Sequence, residues 1–130
     1  MGEQMKIGEL AERTGVSVRM LRYYEQQGLL ASTRSTGGQR LYGPHGPERV
    51  ELLRTLFAAG LSSRTIASLL PCVDTPGPQT ADEAYATMRR ERDRLSAAMA
   101  TLATARDALD GLIACNSEHR ATLASTRRTA

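Results

Sequence analysis

The chain has 130 residues, a formal charge of +3, 41% hydrophobic and only 4% aromatic residues, which allows one ordinary domain or a small domain with an extension and excludes two large cores. Burial must then rest on Leu, Ala, Val, Ile and Met, a composition suited to helices rather than sheets. No apolar run approaches the roughly 20 residues that span a bilayer, the first residues lack the layout of a secretory signal, and two cysteines are too few for a disulfide framework, so a cytoplasmic chain with reduced thiols and no membrane partner is expected.

In chain order, Ile7, Leu10 and Ala11 follow helical spacing and Gly15 supplies a stop. Ser17 stands as an N-cap for a second helix that carries Val18 and Leu21 and ends at Gly28. Two short helices about a tight turn read as a helix-turn-helix over residues 6–27. The Gly37-Gly38 pair between short segments predicts a small hairpin, a wing over about 30–42. Two further helices follow over about 47–70: Val50, Leu53, Leu56 and Phe57 share a face of the first, Ser62 caps the second, Leu61 packs on Ile66 as a staple, and Pro71 is expected to end it.

The stretch PCVDTPGPQ, residues 71–79, reads as a linker. Thr80 to Glu83 match a capping box, opening a helix expected over 80–114 and on the order of 50 Å long. Met88, Leu95, Leu102 and Leu109 repeat every seven residues, with Ala84, Ala98, Ala105 and Leu112 in the complementary positions and Glu91 the one polar exception. This is a coiled-coil seam whose simplest partner is a second copy of the chain, although folding back onto its own first half would also cover it. Residues 115–130 are polar and arginine-bearing and are expected to be a mobile tail.

Residues 1–70 carry nine Lys/Arg against six Asp/Glu, whereas residues 71–130 carry eight of each. Within that basic half, residues 19–42 gather Arg19, Arg22, Arg34 and Arg40 with Tyr23, Tyr24 and Tyr42 against the single Glu25, a surface fit to touch an anion. A helix-turn-helix lays its second helix in the major groove. Arg19 and Arg22, three apart, share a face near its start, and Ser17 just before them is counted with them as a DNA contact. Adjacent tyrosines cannot share a face, so one of Tyr23 and Tyr24 should reach phosphate or base edges while the other packs beside Leu21. Gln39, Arg40 and Tyr42 would work the wing, Arg34 lies across its turn, and Tyr42 also suits a core anchor. The bland alternative for Arg19 or Arg22 is a pair with Glu25, worth about 0.3–0.5 kcal/mol when exposed.

The run KIGELAERTGVSVRMLRYYEQQGLL, then GGQRLY, then LLRTLFAAGLSSRTIASLL, resembles the MerR family of bacterial transcription regulators over residues 6–70. The resemblance implies a mainly α chain, a winged helix-turn-helix DNA-binding domain followed by a long dimerisation helix, paired with a second copy as an antiparallel coiled coil. It further implies binding to double-stranded promoter DNA, whose distortion lets RNA polymerase engage both promoter elements. By this likeness Arg19 and Arg22 contact DNA, Tyr24 supports or touches its backbone, and Gln39, Arg40 and Tyr42 form the wing contact.

About fifteen residues follow the long helix, which leaves no room for a separate ligand domain, so any effector is expected to be small. Metal-responsive relatives use cysteines at the end of the dimer helix and at the start of the partner's. Here the candidate ligands are Cys115, His119 four residues on, and the partner's Cys72, a set of thiolates and imidazole suited to a zinc-like ion. The second terminal cysteine of those sensors and the four-cysteine cluster of the redox sensors are both missing. Thiol oxidation between subunits, an organic ligand and no ligand at all stay open, as does an effector-independent architectural DNA binder. No nucleophile, base and orienting group come together in the sequence as an enzyme requires.

Overall fold

The computed structural model describes residues 3–129. Seven elements follow one another: α1 (Ile7–Thr14), α2 (Val18–Gln26), β1 (Thr33–Arg34), β2 (Arg40–Leu41), α3 (Gly46–Ala58), α4 (Ser63–Asp74) and α5 (Pro78–Thr129). They divide into two units, Met1–Thr87 and Met88–Ala130, the second formed by the continuation of α5.

The first unit is built from short helices with well-made ends. Ser17 accepts a hydrogen bond from the Met20 N–H at 3.1 Å and Ser62 one from the Thr65 N–H at 3.1 Å, satisfying donors that open helices leave unpaired. At the end of α2, Gly28 takes a left-handed φ of 75°. Its N–H returns to the Glu25 carbonyl at 3.0 Å and that of Leu29 to the Tyr24 carbonyl at 2.9 Å, a paired closure that turns Leu29 and Leu30 inward. The wing pairs Thr33 with Leu41 and Arg34 with Arg40 in antiparallel register. Its turn closes through Gly38 N–H to Ser35 O at 2.9 Å and Ser35 N–H to Gln39 O at 2.8 Å, with Gly38 at φ 82° supplying the left-handed step that such hairpins need.

Helix α1 packs on α2 and α3, and α3 on α4. Between them lie Met5, Leu10, Leu21, Leu29, Tyr42, Val50, Leu53 and Ile66, each almost fully buried. Met5 and Tyr42 exchange backbone hydrogen bonds at 2.9 and 2.8 Å, so the segment before α1 is fastened to the end of the wing. Arg54 on α3 donates from Nη1 to the Thr14 carbonyl at 2.8 Å, fixing the turn between α1 and α2 from below.

Three expected boundaries move. Pro71 does not end α4, which continues to Asp74 with the Pro71 carbonyl accepting from the Thr75 N–H at 2.8 Å. The proline costs one bond, to the Ala67 carbonyl, and Ala67 is exposed so that solvent can serve it. The linker expected at 71–79 therefore shrinks to residues 75–77. Pro78 opens α5, as its fixed φ suits a first helical position. Thr80 forms no cap; its hydroxyl donates to the carbonyls of Thr75 at 3.0 Å and Gly77 at 3.1 Å. Ala84 is buried within the first unit.

In the second unit α5 runs on to Thr129, so residues 115–129, expected as a mobile tail, are helical. They contain Ala, Leu, Glu and Arg and neither proline nor glycine, so polarity alone gave no reason for the helix to stop. Residue 130 lies outside the described residues. Met88, Leu95, Leu102, Leu109 and Leu112 are all exposed on this unit, and Ala98 and Ala105 lie exposed among them.

Candidate nucleic-acid interface

Helix α2 presents two different sides. Inward, Leu21 is fully buried and Tyr24 is 4% exposed, its ring stacked on Phe57 at 5.5 Å between centroids and 8° between planes. Outward, Arg19, Arg22 and Tyr23 are exposed, Tyr23 lying tilted 6.4 Å from the same Phe57 ring. Of the two adjacent tyrosines Tyr23 is thus the one that faces solvent. The assignment of Tyr24 as a DNA contact is corrected: its ring belongs to the core.

Of the two readings of Tyr42, the core anchor holds and the wing contact is corrected. The residue is 0% exposed and serves as the anchor of the wing, so no nucleic acid can touch its side chain. Burial above all, then the Glu25 carboxylate, push the Tyr42 phenol up from its ordinary range, while Arg40 and Arg22 pull it down. Tyr24 is raised chiefly by burial, with Arg54 opposing and Glu51 assisting. Both remain neutral phenols at physiological pH.

Arg22 faces the wing. Together with Lys6, Ile7, Arg34, Gln39 and Arg40 it lines an open cleft of about 430 Å³ between the start of α1, α2 and the hairpin. An adjoining cleft of about 550 Å³ continues along Arg22, Glu25, Gln26, Ser32, Arg34 and Arg40. Arg19 lies elsewhere, in a depression with Ser17, Met20 and Tyr23. Both arginines thus stand on the exposed side of α2, three residues apart, Arg22 lining the basic cleft and Arg19 the depression beside it.

Charge in the cleft is only partly neutralised. Arg40 Nη1 lies 2.7 Å from Glu25 Oε2, and the other oxygen of that carboxylate accepts from the Ser32 hydroxyl. Arg34 donates to the Gly38 carbonyl at 2.9 Å, holding the hairpin turn while remaining exposed. Lys6, Arg19 and Arg22 make no ion pair among the described residues, so Glu25 engages Arg40 of the wing and leaves the two α2 arginines uncompensated. Lys6 and the Glu25–Ser32 brace escaped the sequence reading. Lys6 reaches the cleft through the Met5–Tyr42 bridge, a contact across the chain that no local pattern announces.

Neither cysteine lies in this cleft: Cys72 is half-buried on α4 and Cys115 exposed on α5. His119 follows Cys115 by one helical turn and shares its side of α5. Among the described residues no three His, Cys, Asp or Glu side chains gather as metal ligands within one chain.

The sequence from residue 5 to residue 71 matches the family described as MerR HTH family regulatory protein. The chain belongs to the MerR family. It is 34% identical over 109 residues to an HTH-type transcriptional activator, a SoxR homologue of Chromobacterium violaceum, covering 84% of this chain and 74% of that one. Among solved structures, a putative MerR family transcriptional regulator from Listeria monocytogenes superposes with a TM-score of 0.62 at 28% identity, covering 84% of this chain and 83% of that one. The fold also matches HiNmlR, a MerR family regulator lacking the sensor domain and bound to promoter DNA, with a TM-score of 0.59 at 24% identity over 81% and 80% of the two chains. Winged helix-turn-helix and long following helix are common to this MerR chain and its structural neighbours, and its function is that of a DNA-binding transcription regulator. The family is one of regulators rather than enzymes. None of the described helices is long and apolar enough to cross a membrane.

Proposed function

We propose that this MerR-family chain grips promoter DNA in the cytoplasm as a homodimer, α2 entering the major groove and the wing lying along the flanking backbone, and distorts that DNA to control transcription by RNA polymerase. The observation that carries the reading is the meeting of Lys6, Arg22, Arg34 and Arg40 in one open cleft beside α2. Cationic side chains so placed neutralise phosphates and release counterions. Arg22 and Arg19, on the outward side of α2, are the candidates for base edges, since a guanidinium can fork onto guanine. Gln39 and Tyr23 add polar reach at the two margins, and Ser17 holds the start of α2 rather than the DNA.

Replacing Arg22 with Ala tests the reading. Operator affinity is expected to fall and the slope of log affinity against log salt to flatten by about one, measured by fluorescence anisotropy over a salt series. Unchanged affinity and slope would remove Arg22 from the interface.

A further inference from the structure

Among the described residues Glu25 is the one carboxylate beside Arg22, Arg34 and Arg40 in the cleft along α2. A site that served only to attract phosphate would gain by its absence. The side chain is only 16% exposed, and it meets the wing on both sides of the hairpin. Its Oε1 accepts from the hydroxyl of Ser32, just before β1, and its Oε2 lies 2.7 Å from Arg40 Nη1 on β2. Tyr42, just after β2, is near enough for the carboxylate to act on its phenol.

The wing needs such a tie. It pairs only Thr33 with Leu41 and Arg34 with Arg40, and so short a two-stranded hairpin does not hold a fixed attitude by itself. The Met5–Tyr42 bridge fastens its end to the segment before α1, and Glu25 fastens it to α2. Oε2 of Glu25 and the Tyr42 hydroxyl are buried without a well-formed hydrogen bond among the described residues, a cost that proteins retain where a group serves something other than stability. Arg40 meanwhile keeps a side chain 43% exposed. A guanidinium has five donors, so one carboxylate orients Arg40 and leaves donors for a second anion.

We propose that Glu25 is a positioning residue that sets the selectivity of DNA binding, by holding the wing at one spacing from α2 so that Arg40 meets a backbone phosphate only on DNA shaped to present it there. The inference rests on the grip on DNA proposed above. The carboxylate repels every phosphate alike, whereas its hold on Arg40 helps only the matching duplex. Glu25 therefore lowers affinity for DNA in general and raises the preference for one shape of it.

Two duplexes read this out by fluorescence anisotropy: one selected from a random pool by the unmodified chain, and a scramble of its sequence. Glu25→Gln keeps the size of the side chain and an acceptor for Ser32 but removes the charge. It is expected to tighten binding to the scramble about twofold, to weaken binding to the selected duplex, and so to lower the ratio of the two affinities about tenfold. Equal tightening on both duplexes would make Glu25 a counter-charge only, and equal weakening a scaffold residue only; either result overturns the proposal. Glu25→Asp keeps the charge and shortens the reach, so the ratio is expected to fall with affinity for the scramble unchanged. An unaltered ratio there would overturn the positioning role even if the Gln variant failed to fold. In an Arg40→Ala background Glu25→Gln is expected to leave the ratio where it stands, and a further loss of the same size would overturn Arg40 as the group positioned. Failure of the underlying grip looks different. If Arg22→Ala and Arg40→Ala leave binding to the selected duplex unaltered, the cleft does not hold DNA; if they weaken it while both Glu25 variants keep the ratio, the inference about Glu25 alone falls.

Discussion

The two units of the chain treat their leucines in opposite ways. In the first, Leu10, Leu21, Leu29 and Leu53 are buried to within 2% of completion by neighbours from the same chain. In the second, Leu102 and Leu109 remain 69% and 58% exposed on a single helix. Yet both units have a regular apolar pattern, of short helical stripes in one and heptads in the other. Pattern alone therefore says that a face will be covered; whether the chain covers it itself depends on whether a turn brings another stripe back. The first unit has such turns at Gly15, Gly28 and Gly60, and residues 88–129 have none.

Leu102→Asp is the sharpest break of that contrast. Placing a charge in the middle of the seam in both copies removes two leucines that the proposed dimer would bury, about 1.5–3 kcal/mol each, and the dimer is expected to dissociate in sedimentation equilibrium while the denaturation midpoint of the winged unit holds. Leu53→Ala should do the reverse. A fully buried α3 leucine leaves a cavity costing about 2–5 kcal/mol, so urea denaturation of the first unit should shift by that amount and the dimer assembled through α5 should persist. Smaller still is Ser17→Ala, which strips the cap from the Met20 N–H and is expected to cost about 1 kcal/mol in the same denaturation experiment, with no effect on sedimentation. If Leu102→Asp were to unfold the winged unit, or Leu53→Ala to split the dimer, the division of labour between the units would fail.

What could be read in advance from the sequence follows the range of the forces involved. Ser17 and Ser62 act on a backbone donor three residues away, and both were legible as caps. The heptads were legible because their period is a property of one helix. Tyr23 and Tyr24 were legible as a pair that must divide but not as to which turns inward, since Phe57, far off in sequence, decides it. Tyr42 was legible as a core anchor but not as one closed off from the surface, and Lys6 was not legible at all, for the same reason: the Met5–Tyr42 bridge buries one and delivers the other to the cleft. Pro71 does not end the helix because a helix-breaking residue only costs a hydrogen bond, and Ala67, which would have received it, is exposed to solvent. The stretch after Ala114 is polar yet helical, because polarity does not break a helix and good helix formers without proline or glycine allow it to proceed.

The clamp from Arg54 to the Thr14 carbonyl has a further meaning. Its acceptor belongs to the main chain, so a change of side chain at position 14 leaves the acceptor in place, and the turn before α2 is steadied from α3. The buried side of α2, Leu21 and Tyr24, is fixed by the core, whereas positions 19, 22, 23 and 26 face outward. If DNA is read as proposed, recognition can be rewritten at those outward positions without asking the scaffold to refold, and an engineer can explore new operators on an unchanged mount.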